Sequence, residues 1–455
     1  MLSQTDPKPP RQDTTAAAWE IRHVDICRGI AELSPLSGER GIYLVLWYQH
    51  IPLAHLEISV HQLPLTVHQL LPEIATAIAP AIGSYLFQQG FQDPLPGMRY
   101  DGEFHKPPDF SAIQAVESPL AQLQKYCDHK TFSQTDETVS IVVCTRDRPE
   151  YLARCLRSLQ SLHPSPHEIL IVDNAPSSTA TRELVSQFPN MRYILESRGG
   201  LSIARNTGLR AATGSLIAFT DDDVEVYPNW LDGLYTAFNQ PNVMAATGLI
   251  IPARLETEAE MVFQQGSTGF GWGYRALTFD RHFFFSMKSV GVPVWRIGAG
   301  ANMAFRRQIF AEVGEFDERL GAGASGCSED SELWYRILAA GWNCRYEPTA
   351  VVAHYHRADY KSLNQQMYAY MKGHMTALWI QAFKHRHWGN VRRILIALPR
   401  YYFRRFAQAV LHKFKGRHRT TMAEIRGCLV GSLGVFGLQI KPEPRATVVK
   451  VNEKE

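Results

Sequence analysis

At 455 residues the chain is long enough for roughly two or three domains with ample core. A hydrophobic content of 45% and a formal net charge of +3 describe an ordinary globular protein and exclude a nucleic-acid partner recognised by bulk charge; only Lys384 to Arg419 is locally crowded with basic residues. Cys27, Cys127, Cys144, Cys155, Cys327, Cys344 and Cys428 form no Cys-x-x-Cys pair, which argues for reduced thiols in a cytoplasmic setting, and no run approaches the roughly 18 apolar residues of a spanning helix.

In chain order, residues 1–17 read as a disordered tail, polar and without the apolar core of a signal peptide. Residues 18–130 read as a small α+β domain of unknown role. Within it Ile42 to Tyr48 is a strand, His55 to Val60 its partner, and Val67 to Leu86 carries helical periodicity despite Pro72 and Pro80. His50, His55, His61 and His68 are not spaced as metal ligands. The Pro-rich stretch from Gln92 to Asp136 reads as a linker.

A second domain opens at the buried strand Ser140 to Cys144. Pro149 suits a first helical position, and Leu152, Cys155, Leu156 and Leu159 supply the apolar face behind it. A strand ending at Asp173 and Asn174, a helix from Thr181 to Phe188, a strand at Tyr193 and a helix from Leu201 to Ala212 follow. Strands alternating with helices predict a mostly parallel sheet covered on both faces, with ligands collecting beyond the carboxyl ends of its strands.

The fourth strand of this series, Leu216 to Phe219, runs directly into Asp221, Asp222 and Asp223. Extended backbone would point Asp221 and Asp223 one way and Asp222 the other. Three adjacent carboxylates repel, and a hard divalent cation bound together with substrate phosphates relieves that repulsion. The alternative is a solvated acidic turn. Further on, the flexible loop Gly298 to Gly300 leads into a strand, and a Gly-rich loop from Gly321 to Gly326 delivers Glu329 and Asp330 to a helix start. Acids in a first turn also satisfy the helix dipole. His354 ends a late strand, placed either to complete a metal shell or as a structural histidine.

Taken together, Val139-Ser-Ile-Val-Val-Cys-Thr-Arg-Asp-Arg-Pro, Ile171-Val-Asp-Asn, Arg198-Gly-Gly-Leu-Ser-Ile-Ala-Arg-Asn-Thr-Gly and Phe219-Thr-Asp-Asp-Asp resemble the nucleotide-sugar half of a family-2 glycosyltransferase with the GT-A fold. Gly300-Ala-Asn-Met-Ala, Gly314-Glu-Phe-Asp, Ser328-Glu-Asp-Ser-Glu-Leu and Val352-Ala-His resemble its acceptor half. The resemblance covers residues 138–357. It implies an α/β, Rossmann-like catalytic domain preceded by the small N-terminal domain and followed by C-terminal helices (358–440) and a tail (441–455). It further implies that Asp173 and Thr145 surround the donor's base, that Arg205 lies near the diphosphate, and that Asp222 faces the ribose or sugar. Asn302 and Glu329 join this substrate-binding set. Asp221, Asp223 and His354 are implied as ligands of Mn²⁺ or Mg²⁺, and Asp330 as the general base. The first loop departs from the family in carrying Asp147 where Asn is commoner.

The expected activity is metal-dependent, inverting transfer of a sugar from a nucleotide-diphosphate donor to a hydroxyl of a glycan or lipid-linked acceptor, in cell-surface polysaccharide or glycolipid synthesis. A nucleotidyltransferase would be expected to show a Gly-rich phosphate loop and a Lys near the first strand, and neither is evident; a non-catalytic glycan-binding protein would not require both Asp223 and Asp330. Between Trp379 and Phe414, Trp, Tyr and Phe interleave with Arg and Lys. That pattern suits either a helix lying in an anionic membrane surface, on the inner face of the plasma membrane, or a helical cap on the catalytic domain.

Overall fold

The computed structural model describes residues 18–34, 38–88, 110–114, 119–129, 137–266 and 273–434. The two terminal tails and much of the expected linker lie outside them. The N-terminal sheet is ordered β1 (Trp19–Asp25), β2 (Gly41–Tyr48), β3 (Ile51–Ser59), with β2 buried along its whole length. Alternation explains why β2 is apolar throughout: Ile42, Leu44 and Leu46 pack with Leu70, Ile74 and Ile78 of the helix Val67–Gln88, while Tyr43, Val45 and Trp47 pack with Leu249, Ile251 and Val351 of the larger sheet. Phe110, Leu120 and Leu123 are buried in the first of these cores. The stretch read as a linker therefore contains folded helices, Phe110–Gln114 and Pro119–His129, that belong to the N-terminal unit.

The larger sheet contains β4 (Val139–Thr145), β5 (Glu168–Asn174), β6 (Met191–Glu196), β7 (Leu216–Asp221), β8 (Val224–Val226), β9 (Val243–Pro252), β10 (Leu277–Phe279), β11 (Asn302–Arg306) and β12 (Asn343–His354). Its order is β10-β12-β9-β11-β7-β4-β5-β6, with β8 paired to β12. β4, β5, β6, β7, β9 and β12 run one way, and β8, β10 and β11 run against them. One face packs Ile141 and Val143 on the helices Pro149–Gln160 and Trp230–Ala237, and the other packs Val142 and Val172 on Leu201–Ala211 and Glu329–Ala339. At Gly208 the helix comes so close that a Cβ would lie 2.3 Å from Val142 Cγ1. The α/β class read from the sequence is the class observed, a mostly parallel sheet covered on both faces.

After β12 the helix Tyr360–Lys384 crosses the site end of the molecule and packs along Thr421–Gly434. It seats Gly373 where a Cβ would lie 2.4 Å from the Cys327 carbonyl oxygen, directly beside the start of Glu329–Ala339. Ile394, Leu398 and Tyr402 turn inward against Met375 and Leu378, whereas Trp388, Phe403 and Leu411 are 77%, 76% and 78% exposed. Among the described residues no helix is long and apolar enough to cross a membrane.

Candidate active site

Register places the site at the carboxyl ends of the central strands. Thr145 pairs with Asp173 across β4 and β5, and Cys144 with Asp221 across β4 and β7. β7 ends at Asp221, and Asp222 and Asp223 form a tight turn into β8. The alternation expected of extended backbone therefore does not hold, because these two residues are not in a strand. Both reach one guanidinium: Arg148 donates to Asp222 Oδ1 at 2.6 Å and to Asp223 Oδ2 at 2.7 Å. Asp222 also accepts from Thr145 Oγ1 at 2.8 Å, so it faces the floor of the site and not an open ribose pocket. Burial and the neighbouring Asp223 push Asp222 up to about 7. Asp223, although buried as well, is held below the ordinary carboxylate range by the positive charges beside it, among them the Arg148 and Arg357 guanidiniums.

The opposite wall hangs on Arg205, which is almost fully buried. Its guanidinium donates to Glu329 Oε1 at 2.5 Å, to Asp221 Oδ1 at 3.1 Å and to the Gly300 carbonyl oxygen at 3.4 Å. It is thus an ionic strut joining β7 to the helix Glu329–Ala339, on the wall of the cleft. Burial raises Glu329 to about 7 against the opposing charge of Arg205, and one of its carboxylate oxygens is buried without a hydrogen bond. Asp330 differs in being only half-buried. It accepts from the Gly300 backbone N–H at 2.7 Å and from the Ser331 N–H at 2.6 Å, and burial raises its proton affinity despite Arg205.

His354 closes β12 beside Asp223, with Nε2 at 3.5 Å from Asp223 Oδ1. Its Nδ1 lies 2.9 Å from Nδ1 of His356, whose Nε2 lies 3.0 Å from Gln264 Oε1, and Gln264 Nε2 donates to the Tyr43 hydroxyl at 3.1 Å. With the amide so oriented, His356 donates to Gln264, His354 donates to His356, and the lone pair of His354 Nε2 is aimed at the carboxylate of Asp223. Two acceptors facing each other call for a cation between them. An octahedral cation with bonds of about 2.1 Å sets neighbouring ligands about 3 Å apart, close to the spacing found here. Asp223 and His354 therefore fit a divalent metal as a two-ligand pair, with the remaining positions left to substrate oxygens and water. Asp221, drawn away to Arg205, does not join them, and among the described residues no group of three or more such ligands is assembled.

One cleft of about 1470 Å³ is lined by Thr145, Arg205, Asp221, Asp222, Asp223, Glu329, Asp330 and His354. Two expected residues are not brought to it. Asn302 is fully buried: it accepts from Trp230 Nε1 at 2.8 Å and donates to the carbonyls of Leu249 and Ala350, bracing β9, β11 and β12. Asp173 is also fully buried, accepting from the Tyr193 hydroxyl at 2.9 Å with its other oxygen unbonded, and the neighbouring Asn174 lines the cleft in its place. Arg148, Arg357, His356 and Gln264 were not foreseen. The run His354-Tyr-His-Arg357 carried a signal for two of them, His356 and Arg357, since both closely follow a histidine at a strand end.

An α/β sheet with carboxylates gathered at its strand ends, facing a second acidic pair, defines a ligand-handling protein of the doubly covered class. Residues 140–314 match the family described as Glycosyl transferase family 2. The chain is similar to the Pre-mycofactocin glycosyltransferase of Mycobacterium tuberculosis, 29% identical over 223 residues covering 49% of this chain and 43% of the relative. It is also similar to the Glucosyl-dolichyl phosphate glucuronosyltransferase of Haloferax volcanii, 27% identical over 192 residues covering 40% of this chain and 57% of the relative. The chain thus spans about half the length of these relatives. A mannosyltransferase, PcManGT from Pyrobaculum calidifontis, solved with GDP-Man and Mn²⁺, superposes with a TM-score of 0.46 at 16% identity over 69% of this chain and 93% of that one.

Proposed function

We propose that the chain is a metal-dependent inverting glycosyltransferase, passing a sugar from a nucleotide-diphosphate donor to a hydroxyl of a glycan or lipid-linked acceptor. The observation that carries this reading is the placement of Asp223 with His354, and of half-buried Asp330, on walls of a single cleft. A divalent cation, Mn²⁺ or Mg²⁺, when held by Asp223 and His354, supplies Lewis-acid neutralisation of the departing diphosphate.

The chain's own groups do the rest. Asp330 is fixed by the Gly300 and Ser331 amides, and its raised proton affinity makes it a competent acceptor for the proton of the attacking hydroxyl. That hydroxyl bonds to the anomeric carbon as the carbon–oxygen bond to the diphosphate breaks, so a single displacement inverts the centre. Arg148 and Arg357 place positive charge at the diphosphate end. Thr145 and Asp222, bonded to each other, floor the donor side of the cleft, and Asn174, which lines the cleft beside the buried Asp173, takes the donor's base in place of Asp173. The relatives' names support a sugar-transfer chemistry, and the exposed apolar face of the C-terminal helices supports an acceptor met at a membrane surface, in polysaccharide or glycolipid synthesis on the cytoplasmic side. The test is purified protein incubated with a panel of nucleotide sugars in Mn²⁺ and in EDTA, followed by NMR of the product. Transfer in Mn²⁺ alone with inverted configuration is expected; retention of configuration would rule out the single displacement.

A further inference from the structure

The cleft continues past Asp330 to an end that the chemistry above does not use. It is lined there by Trp295 and Arg296 of the turn Val294–Arg296, by His374 of the helix Tyr360–Lys384, and by Arg393. The Arg393 guanidinium carbon lies 4.0 Å from the centre of the Trp295 ring, and Trp295 meets the His374 ring edge-on at 4.7 Å.

What sets Arg393 apart is its lack of an acid. Three other arginines of the same cleft are neutralised: Arg148 by Asp222 and Asp223, Arg205 by Asp221 and Glu329, and Arg405 by Glu424. Arg393 makes no ion pair with any described carboxylate, its Nε is buried without a hydrogen bond, and it feels the like charge of Arg296. Burial and this like charge bring Arg393 down to about 10, and burial with Arg393 holds His374 neutral at about 3. A cation taken partly out of water without a partner is costly, and an incoming anion relieves that cost. The planar guanidinium fork, clamped on an indole face, suits a phosphate more than a diffuse charge.

The chain places this anion on the acceptor side. Arg296 stands four residues before Gly300, whose amide holds Asp330, so their Cα atoms are at most about 14 Å apart. The arginines of the donor side, Arg148 and Arg357, both pair with Asp223. We propose that Arg393, stacked on Trp295, and Arg296, which lines the same end of the cleft, form a subsite for a phosphate group carried by the acceptor. This deepens the glycosyltransferase reading and rests on it for the word acceptor. The phosphate has two sources with the same chemistry, a lipid phosphate or a water-soluble phosphate ester.

Calorimetry on the full chain tests the assignment with farnesyl phosphate, phenyl phosphate and farnesol as probes, and with UDP and GDP in Mn²⁺ as separate donor-side titrants. Arg393→Gln should weaken phosphate binding about tenfold to a hundredfold, the range one charge-assisted hydrogen bond commands, while UDP or GDP affinity stays that of the wild type. The exposed Arg296→Gln should act in the same direction to a smaller extent, and Arg393→Lys should recover part of the loss. Binding of farnesyl phosphate but not phenyl phosphate identifies a lipid-linked acceptor, and comparable binding of both identifies a soluble one. If both phosphates bind Arg393→Gln as they bind the wild type, or if the loss falls on UDP and GDP instead, the subsite is refuted. Failure of UDP and GDP to bind any variant, with phosphate binding still dependent on Arg393, would refute the donor reading and leave the anion site standing.

Discussion

Asp330 and Glu329 are adjacent in sequence, yet their surroundings divide the work between them. Glu329 is buried against Arg205, whereas Asp330 keeps an edge in the cleft and takes its hydrogen bonds from backbone amides. Asp330→Asn should therefore lower turnover by about 10² to 10⁴, the contribution of a positioned base, with nucleotide affinity unchanged by calorimetry. A variant that retains near-normal turnover would pass the role to Glu329. Because burial raises Asp330, and the base must be deprotonated to act, the acid limb of kcat/KM should fall at a higher pH than an ordinary aspartate gives. Arg205→Ala leaves two carboxylates without their cation, and a loss of about 3–5 kcal/mol in urea denaturation is expected. Thr145, the three aspartates Asp221 to Asp223 and His354 were legible because each follows a short apolar run where a strand ends, and Glu329 and Asp330 because a Gly-rich loop leads into their helix. Their pairings were not legible. Nothing local in the sequence states that Arg148 spans Asp222 and Asp223, or that Arg205 is held by Glu329, because those contacts join segments 74 to 124 residues apart. Asn302 shows the converse error, a motif residue whose amide is held inside the sheet.

At the scale of elements, the turn after β7 and the end of β12 meet to create the metal-fitting pair. Backbone binds them together, since the Tyr355 N–H donates to the Asp223 carbonyl at 3.0 Å and His354 pairs with Val224. Behind them the chain Tyr43–Gln264–His356–His354 ties the N-terminal β2 to the site, which gives the N-terminal unit a physical link to the chemistry that its own sequence did not disclose. Partners that orient a ligating histidine typically change metal affinity 10–100-fold when removed, so His356→Phe should weaken Mn²⁺ binding by about that factor in an EPR titration. Tyr43→Phe should give a smaller loss in the same direction. Unchanged Mn²⁺ affinity in both variants would mean that the histidine pair serves packing alone. The same scale explains the linker misreading: Phe110, Leu120 and Leu123 are too few and too widely spaced to announce a core, and only the helix Val67–Gln88 beneath them makes them one.

For the whole molecule, the C-terminal helices present two faces, one packed and one exposed. One face, with Met375, Leu378, Ile394, Leu398 and Tyr402, forms a core that roofs the cleft. The other leaves Trp388, Leu395, Phe403 and Leu411 exposed among Arg400, Arg404 and Lys413. Cutting the chain near Tyr360 would strip the wall at Gly373, so substitutions on the exposed face are the cleaner probe. Each basic residue near an anionic surface contributes about 1 kcal/mol, weakened by salt, and the exposed aromatics add apolar burial. Wild type should sediment with anionic liposomes at low salt and largely release at high salt, and Trp388→Ser/Phe403→Ser/Leu411→Ser should remain in the supernatant with an unchanged unfolding midpoint. Equal behaviour of the two proteins would leave this face as plain surface. The central claim is that a nucleotide-diphosphate donor is held through a divalent cation on Asp223 and His354. Calorimetric titration of the donor nucleotide in Mn²⁺, in EDTA and with Asp223→Ala tests it most directly. Binding that requires Mn²⁺ and is lost in Asp223→Ala is the predicted result; binding of equal strength in all three would contradict it.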